Sequence, residues 1–171
     1  MVNKQNFKDY VQILRIKHYI KNLLLFVPLF FDQKIFDTVK LKNVFWGFLS
    51  FSLISSVVYI LNDLFDVEKD RKHLTKRSRP IAAGRIKRKY AIILCAGCFF
   101  GSFIIFVQDG LNRGAIVFLL LYFLLNIFYS AGLKNKPIID IVILASGFVI
   151  RILFGALLAG TDVSVCKCLK K

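Results

Sequence analysis

Carboxylates are scarce in this chain, with ten Asp and Glu against 25 Lys and Arg in 171 residues. An acidic cluster is therefore informative wherever one occurs. Cysteine is sparse too: Cys95 and Cys98 fall inside an apolar run, where thiols behave as small hydrophobes, and Cys166 with Cys168 offers only two ligands. The sequence predicts neither a zinc site nor a disulfide framework. With three Pro and ten Gly, no linker, repeat or low-complexity segment interrupts the chain. Residues 1–17 are polar and no small-residue cleavage site follows an apolar stretch, so no signal peptide is expected. Basic residues are plentiful, yet no aromatic-interleaved basic groove accompanies them. The net charge of +15 is therefore not read as nucleic-acid binding.

What the chain has in excess is apolar side chain: 57% of residues are hydrophobic and 18 are Phe, more than a soluble domain of this length buries. The apolar runs are Ile20 to Phe31, Val44 to Leu61, Tyr90 to Val107, Gly114 to Tyr129 and Ile138 to Leu158, against roughly 20 residues needed to span a bilayer. The first is short, which suits a tilted or partly re-entrant segment. The expectation is an all-α, multi-pass transmembrane helical bundle of about five helices, forming a single membrane domain over residues 1–171. Short loops between the runs carry the topological signal. Lys4, Lys8, Arg15 and Lys17 precede the first run, ten Lys and Arg lie between Asn62 and Lys89, and Lys134 and Lys136 follow the fourth. The opposite side has Lys34, Lys40, Lys42 and Arg113, with three lysines in the tail. This bias predicts a cell (inner) membrane protein whose N-terminus and acidic cluster face the cytoplasm, with the excess charge also drawn to anionic headgroups.

That cluster is Asn62-Asp63-Leu64-Phe65-Asp66-Val67-Glu68-Lys69-Asp70, directly after the second run. On a helix, Asn62, Asp66, Asp70 and Asp63 fall at about 0°, 40°, 80° and 100°, so one face carries all four, while Glu68 points away at about 240°. Three carboxylates so close repel one another unless a cation neutralises them. An all-oxygen set suits Mg²⁺ or Mn²⁺, with substrate phosphates completing the coordination. The competing reading is a solvated helix end with i,i+4 charge pairs.

A basic loop follows, containing Lys76, Arg77, Arg79, Pro80 and Gly84. Pro80 stops a helix and Gly84 permits an unusual backbone angle, so a shaped loop is expected. Metal-held carboxylates beside Lys76, Arg77 and Arg79 point to a diphosphate, with Arg able to clamp its oxygens bidentately. The alternative is that these cations enforce topology and touch lipid phosphates. In the last run Asp140 and Arg151 lie about 20° apart in azimuth, with Gly147 and Gly155 on the same face. Intramembrane charge of this kind faces a helix neighbour or a wet cavity, either as a functional group or as a structural pair within the bundle. Lys134, beside Tyr129 and Ser130, adds a phosphate contact, and Lys21 and Asn22 close the cavity from the first run.

These residues resemble the UbiA prenyltransferase superfamily, whose first aspartate motif N-D-x-x-D-x-x-x-D is matched in full by Asn62, Asp63, Asp66 and Asp70. Within it, the stretch from Arg15 to Phe30, the segment Lys76-Arg77-Ser78-Arg79-Pro80-Ile81-Ala82-Ala83-Gly84, Tyr129-Ser130 with Leu133-Lys134, and Asp140 through Gly155 resemble decaprenyl-phosphate phosphoribosyltransferases. The likeness runs from about Gln12 to Asp162, with Ile16 where Pro is common and Tyr19 where Trp is common. It implies a nine-helix fold, of which this chain holds about five. It also implies a transferase in which a polyprenyl phosphate attacks C1 of phosphoribosyl diphosphate and Mg²⁺-bound diphosphate leaves. Asp63, Asp66 and Asp70 would be catalytic metal-diphosphate ligands supported by Asn62. Lys76, Arg79, Lys21, Lys134 and Arg151 would bind phosphate, and Asp140 would orient a sugar hydroxyl or a basic partner. A prenyltransferase with an aromatic acceptor shares the acidic motif. The family's second acidic motif lies beyond Lys171, so a missing C-terminal half is expected, as a premature stop, frameshift or gene fragment would produce. A truncated remnant without activity, or a small membrane transport protein, is the reading from another class.

Overall fold

The computed structural model describes residues 4–108, 111–131 and 137–161. Helix α1 (Lys4–Leu14) leads into a 3-10 helix (Ile16–Phe26) and α2 (Val27–Phe31). Then come α3 (Thr38–Phe65), α4 (Val67–Lys72), a 3-10 turn (Lys76–Ser78), α5 (Arg88–Gln108), α6 (Ala115–Ala131) and α7 (Pro137–Ala159). No strand occurs among the described residues.

Among the described residues three helices are long and apolar enough to cross a membrane: Thr38–Phe65, Arg88–Val107 and Ile141–Ala159; Ala115–Ser130 is apolar but shorter. The expected first span is no continuous α-helix. Pro28 has no N–H to give the Leu24 carbonyl, and the Val27 N–H takes that oxygen in a tighter i→i−3 bond. The run Ile20 to Phe31 is thus split between the 3-10 helix and α2.

α3 is the axis of the bundle. Asp37 starts it by accepting from the Val39 and Lys40 N–H groups at 3.1 and 3.2 Å. Its 28 residues extend about 42 Å at 1.5 Å per residue, and it packs against α1, the long 3-10 helix, α5, α6 and α7. In hydrocarbon, apolar contact alone gives helices little reason to associate, so close packing and hydrogen bonds must do so. Ser50 and Ser102 supply both between α3 and α5: their hydroxyls lie 2.9 Å apart, and each also donates to the other's carbonyl, at 3.0 and 2.9 Å. On α5, Ala91, Cys95, Cys98, Ser102 and Phe106 recur every three or four residues and are buried, whereas Ile92, Ile93, Phe100, Ile104 and Val107 stay exposed as the lipid-facing side. Cys95 and Cys98 thus belong to the core; Cys166 and Cys168 lie outside the described residues.

One close approach depends on glycine. A Cβ at Gly155 of α7 would meet the Leu25 carbonyl carbon and Cα at 2.8 Å, and its oxygen nearer still. Gly155 therefore lets the 3-10 backbone lie directly on α7.

Candidate functional site

Helix α3 ends at the acidic motif. The chain bends at Asp66, between α3 and α4, yet the i→i−4 bonds Asp66 N–H to Asn62 and Asp70 N–H to Asp66 persist at 3.0 and 2.8 Å. Asp63 and Asp70 consequently stay on one side, both buried, while Asp66 is half-buried. Arg79 reaches back from the loop and its Nη1 donates to Asp63 Oδ1 at 3.0 Å and Asp70 Oδ2 at 2.7 Å. Arg15 Nη2 donates to the same Asp63 oxygen at 2.6 Å. The Arg15 guanidinium also lies over the Tyr59 ring, 4.7 Å from its centroid.

The expected three-carboxylate cluster is not assembled in this arrangement. Among the described residues no three His, Cys, Asp or Glu side chains stand close enough to hold a metal ion; Asp63 and Asp70 are bridged by Arg79. The donor chemistry nevertheless fits a hard divalent cation: two buried carboxylate oxygens converge on one positive nitrogen, and Mg²⁺ is commonly held by one or two carboxylates plus substrate phosphates. Asn62 turns to α6, where its Oδ1 accepts from the Ser130 hydroxyl at 3.4 Å.

The basic loop is shaped from within. Gly84 has φ +72°, Arg71 Nε donates to the Ala82 carbonyl at 3.2 Å, and Ala83 N–H bonds Arg79 at 2.8 Å. Arg85 ties the loop to α1 by pairing with buried Asp9 at 3.0 Å. Lys76 and Arg77 are exposed beside it and have no acidic partner among the described residues.

Arg151 is buried mid-bundle on α7. Its Nε donates to Asn22 Oδ1 at 2.9 Å, Nη1 to the Gly147 carbonyl at 2.7 Å and Nη2 to the Tyr122 hydroxyl at 3.1 Å, with the Phe51 and Tyr122 rings beside it. Asn22 also donates to Ser52 at 3.0 Å. Lys21, exposed, lines a cavity of about 170 Å³ together with Arg151, Tyr59 and Tyr122. Lys134 and the side chain of Asp140 lie outside the described residues.

Sequence reasoning missed Arg15 and Asp9 as site residues. Arg15 was legible as a basic residue just ahead of the first apolar run, and Asp9 as one of only ten acids. Partial burial, then Arg15 and Lys21, push His18 below its ordinary pKa, so its imidazole is neutral at pH 7.

A model of the UbiA prenyltransferase family matches residues 29–167. The chain is 36% identical over 160 residues to a decaprenyl-phosphate phosphoribosyltransferase of Corynebacterium glutamicum, covering 90% of this chain and 47% of that protein. It is 34% identical over 160 residues to one of Mycolicibacterium smegmatis, covering 90% and 49%. The chain thus spans about half the length of these curated relatives. A solved structure of a digeranylgeranylglyceryl phosphate synthase aligns with a TM-score of 0.72 at 20% identity, covering 89% of this chain and 53% of that one. At that identity the likeness is one of fold. With three membrane-length helices among the described residues, an aspartate motif at the end of one of them and a family match over most of its length, the chain is a membrane protein that belongs to the UbiA prenyltransferase family.

Proposed function

We propose that the chain carries the donor half of a membrane-embedded, Mg²⁺-dependent transferase that moves a phosphoribosyl group from phosphoribosyl diphosphate to a polyprenyl phosphate. The observation behind this reading is the convergence of buried Asp63 and Asp70 on Arg79, with Arg15 alongside. Carboxylates of this type would hold a metal, leaving the arginines to bind the oxygens of a diphosphate. The curated relatives named for this activity support the choice of donor.

In the proposed reaction an oxygen of the lipid phosphate bonds to C1 of the sugar, and the C1–O bond to diphosphate breaks. Asp63 and Asp70, with Asp66, would hold the metal, which would supply positive charge to offset that of the diphosphate. Asn62 supports the motif. Arg79, Lys76 and Arg77 bind diphosphate oxygens, and Lys134 adds a further phosphate contact. Lys21, Asn22 and Arg151 form the inner wall, and Asp140 orients a sugar hydroxyl. The motif faces the cytoplasmic side of the inner membrane.

Membranes carrying the chain, alone and extended by the coding sequence downstream, test this with labelled phosphoribosyl diphosphate, polyprenyl phosphate and Mg²⁺. The expected result is a lipid-linked product that Asp63→Asn and Asp66→Asn abolish without reducing membrane insertion. Product from a prenyl diphosphate and an aromatic acceptor instead would select prenyl transfer. No product from either donor in either form would leave a non-catalytic remnant or a transport protein.

A further inference from the structure

A cavity of about 660 Å³ opens between α1, the start of the long 3-10 helix and the basic loop, within the size range of ligand pockets. Lys8, Arg15, Lys17, His18, Asp63 and Arg79 line it. The chain is bent to make it. Lys8, Val11 and Gln12 recur at helical spacing and share one face of α1, and Arg15 directly follows its end. Arg15 then takes a left-handed backbone, φ 52°, which non-glycine residues rarely adopt and which clusters at functional sites. That turn brings Lys17 and His18 round to the same cavity. Asp9, one position from Lys8, anchors α1 through Arg85.

The charge of the lining is unbalanced. Among the described residues its one carboxylate is Asp63, already engaged by both Arg15 and Arg79. Lys8 and Lys17 are exposed and have no acidic partner among the described residues. Neutral His18 adds a hydrogen-bonding ring without adding charge. Lys8 and Lys17 are thus cations beyond Arg15 and Arg79, contributed by α1 and the start of the 3-10 helix, and suit an anion other than the diphosphate.

We infer that this cavity is a second anion subsite, taking a phosphate monoester, and that its source is the sugar phosphate of the donor. The inference rests on the proposed function, where the donor carries a phosphate at each end. A prenyl diphosphate has only one charged end, so Lys8 and Lys17 would set donor choice. The same chemistry is offered by a lipid phosphate headgroup, and the test separates the two.

The full chain in detergent is titrated calorimetrically with ribose 5-phosphate, with farnesyl phosphate, and with inorganic pyrophosphate plus Mg²⁺. Ribose 5-phosphate is expected to bind the unaltered chain. Lys8→Ala/Lys17→Ala is expected to weaken it about tenfold or more, the scale of one charge-assisted hydrogen bond, while pyrophosphate affinity changes less than about twofold. Lys8→Arg/Lys17→Arg retains binding and guards against misfolding. No ribose 5-phosphate binding to the unaltered chain, or equal binding to the alanine variant, overturns the subsite. Farnesyl phosphate binding that is lost in the alanine variant while ribose 5-phosphate binding is not overturns the sugar-phosphate assignment. Failure of pyrophosphate alone would count against the diphosphate site and leave this subsite standing.

Discussion

Gly155→Ala adds one methyl group to α7 at the point where the 3-10 backbone crosses it. The new carbon would lie 2.8 Å from both the carbonyl carbon and Cα of Leu25, inside the roughly 3.5 Å of carbon contact. The obstacle is main chain and cannot rotate aside, so one of the two segments must translate by several tenths of an ångström. Gly97→Ala on α5 is the matched control, because nothing lies within 4 Å of its Cβ position. Both substitutions gain the same helix propensity, about 0.5–1 kcal/mol, which cancels in the comparison. What remains is the overpacking term, about 1–3 kcal/mol, or roughly a 5- to 150-fold difference between the variants in the folding equilibrium. Reversible denaturation in mixed micelles, followed by the fluorescence of the single tryptophan, Trp46, measures it. Gly97→Ala should equal or exceed the parent in stability, and Gly155→Ala should fall below it. Two variants equal within about 0.5 kcal/mol would refute the close-contact argument.

Ser50 and Ser102 hydrogen-bond reciprocally across α3 and α5, so a Ser→Ala double-mutant cycle should give a coupling of about 0.6–1.7 kcal/mol, between the average and the maximum for hydrogen bonds within membranes; additive single effects would count against the pairing. The pH dependence of His18 has a definite sign. Its ring lies tilted against Tyr59, centroids 5.4 Å apart, and partial burial, then the charges of Arg15 and Lys21, hold its folded pKa below the unfolded value of about 6.5. The stability it contributes is complete above pH 6.5 and is lost as pH falls through the lower folded value. Stability of His18→Gln should therefore fall less than the parent's between pH 7 and 5, and parallel curves would contradict this.

The transmembrane class and the acidic motif were legible in the sequence because both are local patterns. Apolar length marks α3, α5 and α7, and the spacing of Asp63 and Asp70 survives the bend at Asp66 because the i→i−4 bonds do. The partners of those acids were not legible. Arg15 lies 48 positions from Asp63 and Asp9 lies 76 from Arg85, and such separations are set by the fold. Arg151 illustrates the same limit. Its cost in the membrane was evident from sequence, but Asn22 and Tyr122 as its partners emerge only when the 3-10 helix, α6 and α7 are packed together.

The 3-10 helix is the element that hydropathy misread, and its geometry explains why the buried network and the site are joined. At three residues per turn, side chains three apart eclipse. Tyr19, Asn22 and Leu25 therefore line one edge, whereas in an α-helix each would be rotated about 60° from the last. Along that edge the Tyr19 hydroxyl meets Ser56 at 2.6 Å, Asn22 meets Ser52 and Arg151, and Leu25 rests on Gly155. The tighter winding also rises about 2.0 Å per residue in place of 1.5 Å, so eleven residues cover about 20 Å. That length connects Leu25, packed in the core, to Arg15 at the acidic motif. A shift of this edge at Leu25 or Asn22 should therefore be felt at Arg15 and Asp63. Arg151, which holds Asn22, would act on the site by positioning this helix.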